Sequence, residues 1–183
     1  MLLTRQWRNG VEPLEIQART SSASISEGRT LARRAGDIKL AAWWTLMAAH
    51  ARLVHQVGRD LEAKTALPLG SYNVLCLLQE APGCRLRLGE LASAVLLTRG
   101  GVTRLAKRLE RVGLLRRERH AGDLRGWCAV LTDRGVEEWK RARAVFERTV
   151  VEQFGSHLSD AEAETLNAVL GRFATAETGA DCQ

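Results

Sequence analysis

The stretch from Thr98 to Leu131 limits the fold more than any other. Apolar residues at Val102, Leu105, Leu109 and Val112 recur at steps of three and four, which puts them on one face of a helix. Thr98 suits the N-cap of that helix and Gly113 its stop. Two β-prone stretches follow, Leu114 to Arg119 and Trp127 to Leu131, on either side of the turn-like His120 to Asp123. A single-striped helix joined to a hairpin cannot cover its own apolar face, so the rest of the chain must close the core.

The flanking sequence is helical. Trp43, Met47, Val54, Val57 and Leu61, with His50 in the same stripe, keep to one face of a helix that begins near Asp37. That helix has about 27 residues and a length of about 40 Å, and needs a partner for its stripe. A second helix follows Pro68, carries Tyr72, Val74, Leu75, Leu77 and Leu78, and ends at Ala81 to Gly83. Cys84 to Leu88 reads as a short strand and Gly89 to Leu97 as a short helix. Downstream, Val136, Trp139, Ala142, Phe146 and Val150 mark another apolar helix face. Ser159 and Glu162 then form a capping box ahead of a last helix with Leu166, Val169, Leu170 and Phe173. Residues 1–36 lack a sustained apolar period and read as an extension, either disordered in part or forming one extra helix. The expected class is mainly α with one small β-hairpin.

The 183 residues carry a formal charge of +6, and its location is informative. Nine basic residues lie between Thr98 and Arg125 (Arg99, Arg104, Lys107, Arg108, Arg111, Arg116, Arg117, Arg119 and Arg125) against three acidic ones, Glu110, Glu118 and Asp123. That stretch holds the whole formal excess, and the remainder is neutral. A local basic surface on a neutral scaffold is the footprint of a nucleic-acid binder.

Other classes fit poorly. No apolar run approaches the roughly 18 residues of a membrane span, and the first residues lack the apolar core of a secretory signal, so a cytoplasmic protein with no membrane partner is expected. Cys76, Cys84, Cys128 and Cys182 form no CxxC pair, which predicts reduced thiols and no metal site. No glycine-rich phosphate loop, nucleophile elbow or metal–carboxylate cluster appears, so neither an enzyme nor a cofactor is expected.

Several motifs, in their order and spacing, carry a resemblance. They are Leu91 with Ala92; Val102, Thr103, Arg104 and Leu105; Arg108, Leu109 and Glu110; Gly113, Leu114 and Leu115; Asp123 with Arg125; and Leu131, Thr132 and Gly135. Over about Trp43 to Phe173 the chain resembles the MarR family of winged helix-turn-helix regulators. The resemblance implies an N-terminal dimerisation helix over 37–66, a winged helix-turn-helix lobe over 67–132, C-terminal dimerisation helices over 133–178 and a tail over 179–183. It implies a homodimer that regulates transcription by binding a palindromic double-stranded DNA operator, as a ligand-responsive repressor. A winged-helix protein-interaction module, or a nucleic-acid architectural module without sequence preference, stays as the alternative.

The helix after Thr98 fits a major groove, where arginine pairs with guanine and threonine meets a thymine methyl. Arg104 and Thr103 are the candidate base readers. Gly100 and Gly101 either let backbone amides approach a phosphate or serve helix packing. Thr98, Arg99 and Arg108 belong to the same candidate surface, and Lys107, Arg116, Arg117 and Arg119 are candidate phosphate contacts. By resemblance, Arg125 is the wing arginine of the minor groove and Asp123 its shaping partner. The resemblance also implies a small anionic or aromatic ligand between the dimer helices and the DNA-binding lobe, with Trp43, Trp44, His50, His55, Tyr72, Asn73 and Arg104 as lining candidates. Cysteine oxidation is the alternative input.

Overall fold

The computed structural model describes residues 30, 36–95, 97–120 and 123–174, with side chains for all of these except 123–125 and 174. The extension over 1–36 therefore lies almost wholly outside the described residues, as do Cys182 and the tail.

Helix α1 (Ile38–Thr65) starts at Asp37, whose carboxylate accepts from the backbone N–H groups of Lys39 and Leu40, both at 3.0 Å. It ends on Ala66, in the left-handed region at φ 59°. Along its expected stripe only Val57 and Leu61 are buried, whereas Trp43 is 53% exposed. The stripe thus changes partner halfway: its C-terminal part enters the core of this chain and its N-terminal part does not. Helix α2 (Leu69–Glu80) follows Pro68 and buries Tyr72, Val74, Leu75 and Leu78.

Strand β1 (Arg85–Arg87) is shorter than Cys84 to Leu88. Cys84 closes a tight turn over Pro82–Cys84 with φ 51°, and Leu88 already belongs to helix α3 (Leu88–Ala94). Helix α4 (Arg99–Arg111) matches its expected limits, with the Thr98 hydroxyl accepting from Gly101 N–H at 3.1 Å. Strands β2 (Leu115–His120) and β3 (Asp123–Leu131) form the hairpin. Strand β3 begins four residues earlier than the Trp127 start expected, because pairing with β2 draws in a segment whose Gly126 argues against a strand. Arg119 faces Trp127 and His120 faces Asp123, and the register shifts between these two pairs. All pairing is antiparallel in the order β1-β3-β2.

Helix α5 (Asp133–Gln153) packs along α1 and α2, and α6 (Asp160–Ala174) follows a capping box in which Ser159 N–H and Oγ both donate to Glu162. One core joins these layers: Leu61, Leu75, Leu78, Leu91 and Leu109 have no exposed surface, and Leu114, Leu115 and Leu131 extend it beneath the hairpin. Each fully buried leucine contributes about 2 kcal/mol. The mainly helical class with a small sheet is therefore confirmed. Apolar residues near the helix ends are exposed, Ile38 at 81%, Val151 at 62% and Phe173 at 75%. Among the described residues no helix is long and apolar enough to cross a membrane.

Candidate nucleic-acid interface

Helix α4 has two chemically distinct faces. Val102, Leu105, Ala106 and Leu109 are buried, while Thr98, Arg99, Gly100, Arg104, Lys107 and Arg111 are exposed and Thr103 and Arg108 half-buried. The side chains of Arg99 and Arg104 have no hydrogen-bond or ion-pair partner among the described residues, which leaves both guanidinium groups available to an external acceptor. The Thr103 hydroxyl donates to Arg99 O at 2.7 Å, so its remaining lone pair and methyl group are what it offers outward.

The two glycines at the start of α4 separate. A β-carbon on Gly101 would lie 3.2 Å from Thr98 Oγ1 and 3.7 Å from Leu97, so Gly101 serves the cap and the local packing. At Gly100 the space is open apart from Arg104 Nη1 at 3.9 Å. Close approach of an external group is thus a property of Gly100 alone.

The hairpin adds a second basic surface, and its cations are tied down. Arg116 pairs with Glu118 at 2.6 Å, and Arg85 reaches the same carboxylate at 3.4 Å. The hydrogen bond from Arg116 outweighs desolvation and, with the two positive charges, holds Glu118 below the usual carboxylate range. Arg117 pairs with Glu110 at 2.7 Å. Burial on its own would raise the Glu110 carboxyl; its hydrogen bonds from Arg117 and the charges of Arg117 and Lys107 more than offset this and hold it low. Arg119 lies over the Trp127 ring at 4.2 Å. The side chains of Asp123 and Arg125 fall outside those described, although both residues lie in β3.

Between β1, α3, α4 and the part of β3 nearer the hairpin turn lies a cleft of about 570 Å³, walled by Arg87, Leu88, Gly89, Glu90, Arg99, Val102, Thr103, Gly126 and Trp127. Arg87 closes one side by donating to His120 Nε2 at 2.8 Å. Arg85, Arg87, Glu110 and Trp127 were not among the expected site residues. The alternation of Arg85 and Arg87 in a candidate strand was a usable signal, because residues two apart share one face. Glu110 and Trp127 carried no comparable signal, since their roles depend on cross-element pairing.

The candidate ligand residues are scattered in burial. Trp43, His50, His55 and Arg104 are exposed, Trp44 and Asn73 are half-buried, and Tyr72 is buried against Phe146 with ring centroids 4.9 Å apart. Burial, and then a hydrogen bond involving Cys76, push the Tyr72 phenol well above its ordinary range, so it stays protonated. Cys128 is buried and Cys84 half-buried. No group of three or more potential metal ligands exists among the described residues.

The fold has close parallels among known proteins. A MarR family model matches residues 67–126. A putative transcriptional regulatory protein for the hcr operon of Thauera aromatica is 32% identical over 120 residues, which cover 64% of this chain and 69% of that protein. The crystal structure of AbsC, a MarR family transcriptional regulator from Streptomyces coelicolor, superposes with a TM-score of 0.68 at 30% identity, covering 75% of this chain and 93% of AbsC. A second MarR family transcriptional regulator from Streptomyces coelicolor, solved in complex with DNA, gives 0.67 at 30% identity, covering 73% of this chain and 83% of its own. With identity at that level along nearly all of AbsC, and the winged lobe matched on its own, the chain belongs to the MarR family of transcriptional regulators.

Proposed function

We propose that this regulator binds a palindromic operator as a homodimer, with α4 of each copy in a major groove and the β2–β3 wing beside it. The observation that carries this reading is the exposed row of Thr98, Arg99, Gly100 and Arg104, with Thr103 half-buried among them, on a helix whose opposite face is buried. Arg104 and Thr103 read base edges. Arg99, Lys107, Arg108 and Gly100 position the helix on the phosphates, and Arg125, shaped by Asp123, enters the minor groove. A relative at 30% identity was solved in complex with DNA, which supports duplex DNA as the partner.

Two copies meet through the far ends of the helices. Trp43 and Leu46 on α1, Val151 and Phe154 at the end of α5 and Val169 and Phe173 on α6 expose apolar surface that the other described residues leave uncovered. Dimerisation segments at 37–66 and 133–178 then bracket a DNA-binding lobe at 67–132. The protein acts by binding rather than by catalysis, on cytoplasmic DNA, and represses until a small anionic or aromatic ligand engages the junction of α1, α2 and the lobe near Trp44, Tyr72 and Asn73.

Selection from a randomised duplex library tests this. Enrichment of an inverted repeat with half-sites about one helical turn apart supports the reading. Recovery of no common sequence would instead favour an architectural module that binds duplex indiscriminately.

A further inference from the structure

Arg117 is turned inward. Its guanidinium Nε donates to Glu110 Oε2 at 2.7 Å and its backbone N–H donates to Oε1 of the same carboxylate at 2.9 Å. One side chain of α4 therefore holds both the main chain and the side chain of a residue in β2. The Arg117 guanidinium also lies 5.3 Å from the Trp127 ring centroid on β3, so the grip extends to both strands of the wing. The Arg117 side chain keeps only 19% of its exposure, little for a residue meant to reach a phosphate.

We infer that Glu110 is a positioning residue which sets the angle between the recognition helix and the wing, and that Arg117 is the inner half of this clamp instead of a DNA contact. Three further ties among the described residues reach the wing from β1: Arg85 to Glu118 at 3.4 Å and to Arg119 O at 3.3 Å, and Arg87 to His120 at 2.8 Å. Glu110 ties the wing from the α4 side. Helix and wing must enter neighbouring grooves together, so a change in their angle loses contacts at one of them.

The consequence for DNA rests on the proposed operator binding, and its sign is diagnostic. Glu110 is an acid within the stretch that carries the formal charge excess. Were it merely a surface carboxylate, its removal would strengthen attraction to the phosphate backbone. The clamp requires the opposite.

Glu110→Ala, Glu110→Gln and Arg117→Lys separate the two. Alanine is the best helix former, so Glu110→Ala does not weaken α4 through propensity. Lysine keeps the charge of Arg117 and loses the fixed planar geometry. In the DNA-free protein, amide exchange over β2 should accelerate about tenfold in Glu110→Ala while α1 and α5 keep their rates. Operator affinity should fall about tenfold in Glu110→Ala and in Arg117→Lys, the double variant should be no worse than either, and Glu110→Gln, which still accepts from the Arg117 N–H, should recover part of the loss. Wild-type exchange over β2, unchanged or tighter operator binding by Glu110→Ala, or additive losses in the double variant would overturn the clamp. Absence of sequence preference in the wild-type protein would overturn operator binding instead, and the exchange rates would still judge the clamp.

Discussion

Gly135 in α5 lies against the backbone of Leu114, so close that a β-carbon on Gly135 would collide with the Leu114 carbonyl oxygen and come within 2.7 Å of Leu131 Cδ1. This contact presses the start of α5 onto the segment that enters β2, and so joins the C-terminal helices to the base of the wing. Gly135→Ala should therefore cost about 3 kcal/mol, since neither the backbone nor a buried leucine can move aside cheaply. Urea unfolding with an unchanged slope would measure it. A loss below about 0.5 kcal/mol would mean that the backbone yields at little cost.

Thr132 fastens the same junction from the other side. Its hydroxyl accepts from Gly135 N–H at 3.0 Å as the N-cap of α5 and donates to Gly113 O at 2.7 Å. Thr132→Val keeps the shape and removes both bonds, so a loss of about 1–3 kcal/mol in unfolding free energy is expected. Thr132→Ser should retain most of the stability.

These two residues explain what was legible in the sequence. The Leu131, Thr132 and Gly135 pattern marked the family because each position has a separate physical task at one joint. Helix α4 was equally readable, since its cap, stripe and stop are local. The wing was less so: β3 begins at Asp123 because β2 pairs with it, and Gly126 hides that in the sequence. The Glu110–Arg117 pair spans two elements, and its separation of seven exceeds the three or four residues at which side chains on one helix meet. The charge count located the basic surface and could not say which cations are already paired.

Arg104→Ala should weaken operator binding by about 1–3 kcal/mol and relax sequence choice at the base pair it reads. Fluorescence anisotropy against single-base operator variants would check this. A uniform loss across all variants would reassign Arg104 to the phosphates.

Phe173→Glu, on the exposed apolar end of α6, should convert the dimer to monomer at micromolar concentration and abolish tight operator binding, because one half-site holds one copy weakly. Light scattering after gel filtration would report the mass. A dimer of unchanged stability would place the interface elsewhere.

Acid should destabilise the protein in a defined range. Glu110, Glu118 and Glu162 are all held below their ordinary value of 4.5, so the stability each contributes is complete above that value and is lost as pH falls through the depressed values. Glu110→Gln should flatten this acid limb. An acid limb as steep as that of the wild type would show that the Glu110 shift adds nothing to stability.

Sequence-specific recognition by a dimer is read from a titration of the protein against the intergenic duplex beside its own gene and against scrambled duplex of equal length at about 150 mM salt. Binding at least about a thousandfold tighter to the intergenic duplex, with two chains per site, is the expected result. Equal affinity for both duplexes would contradict it.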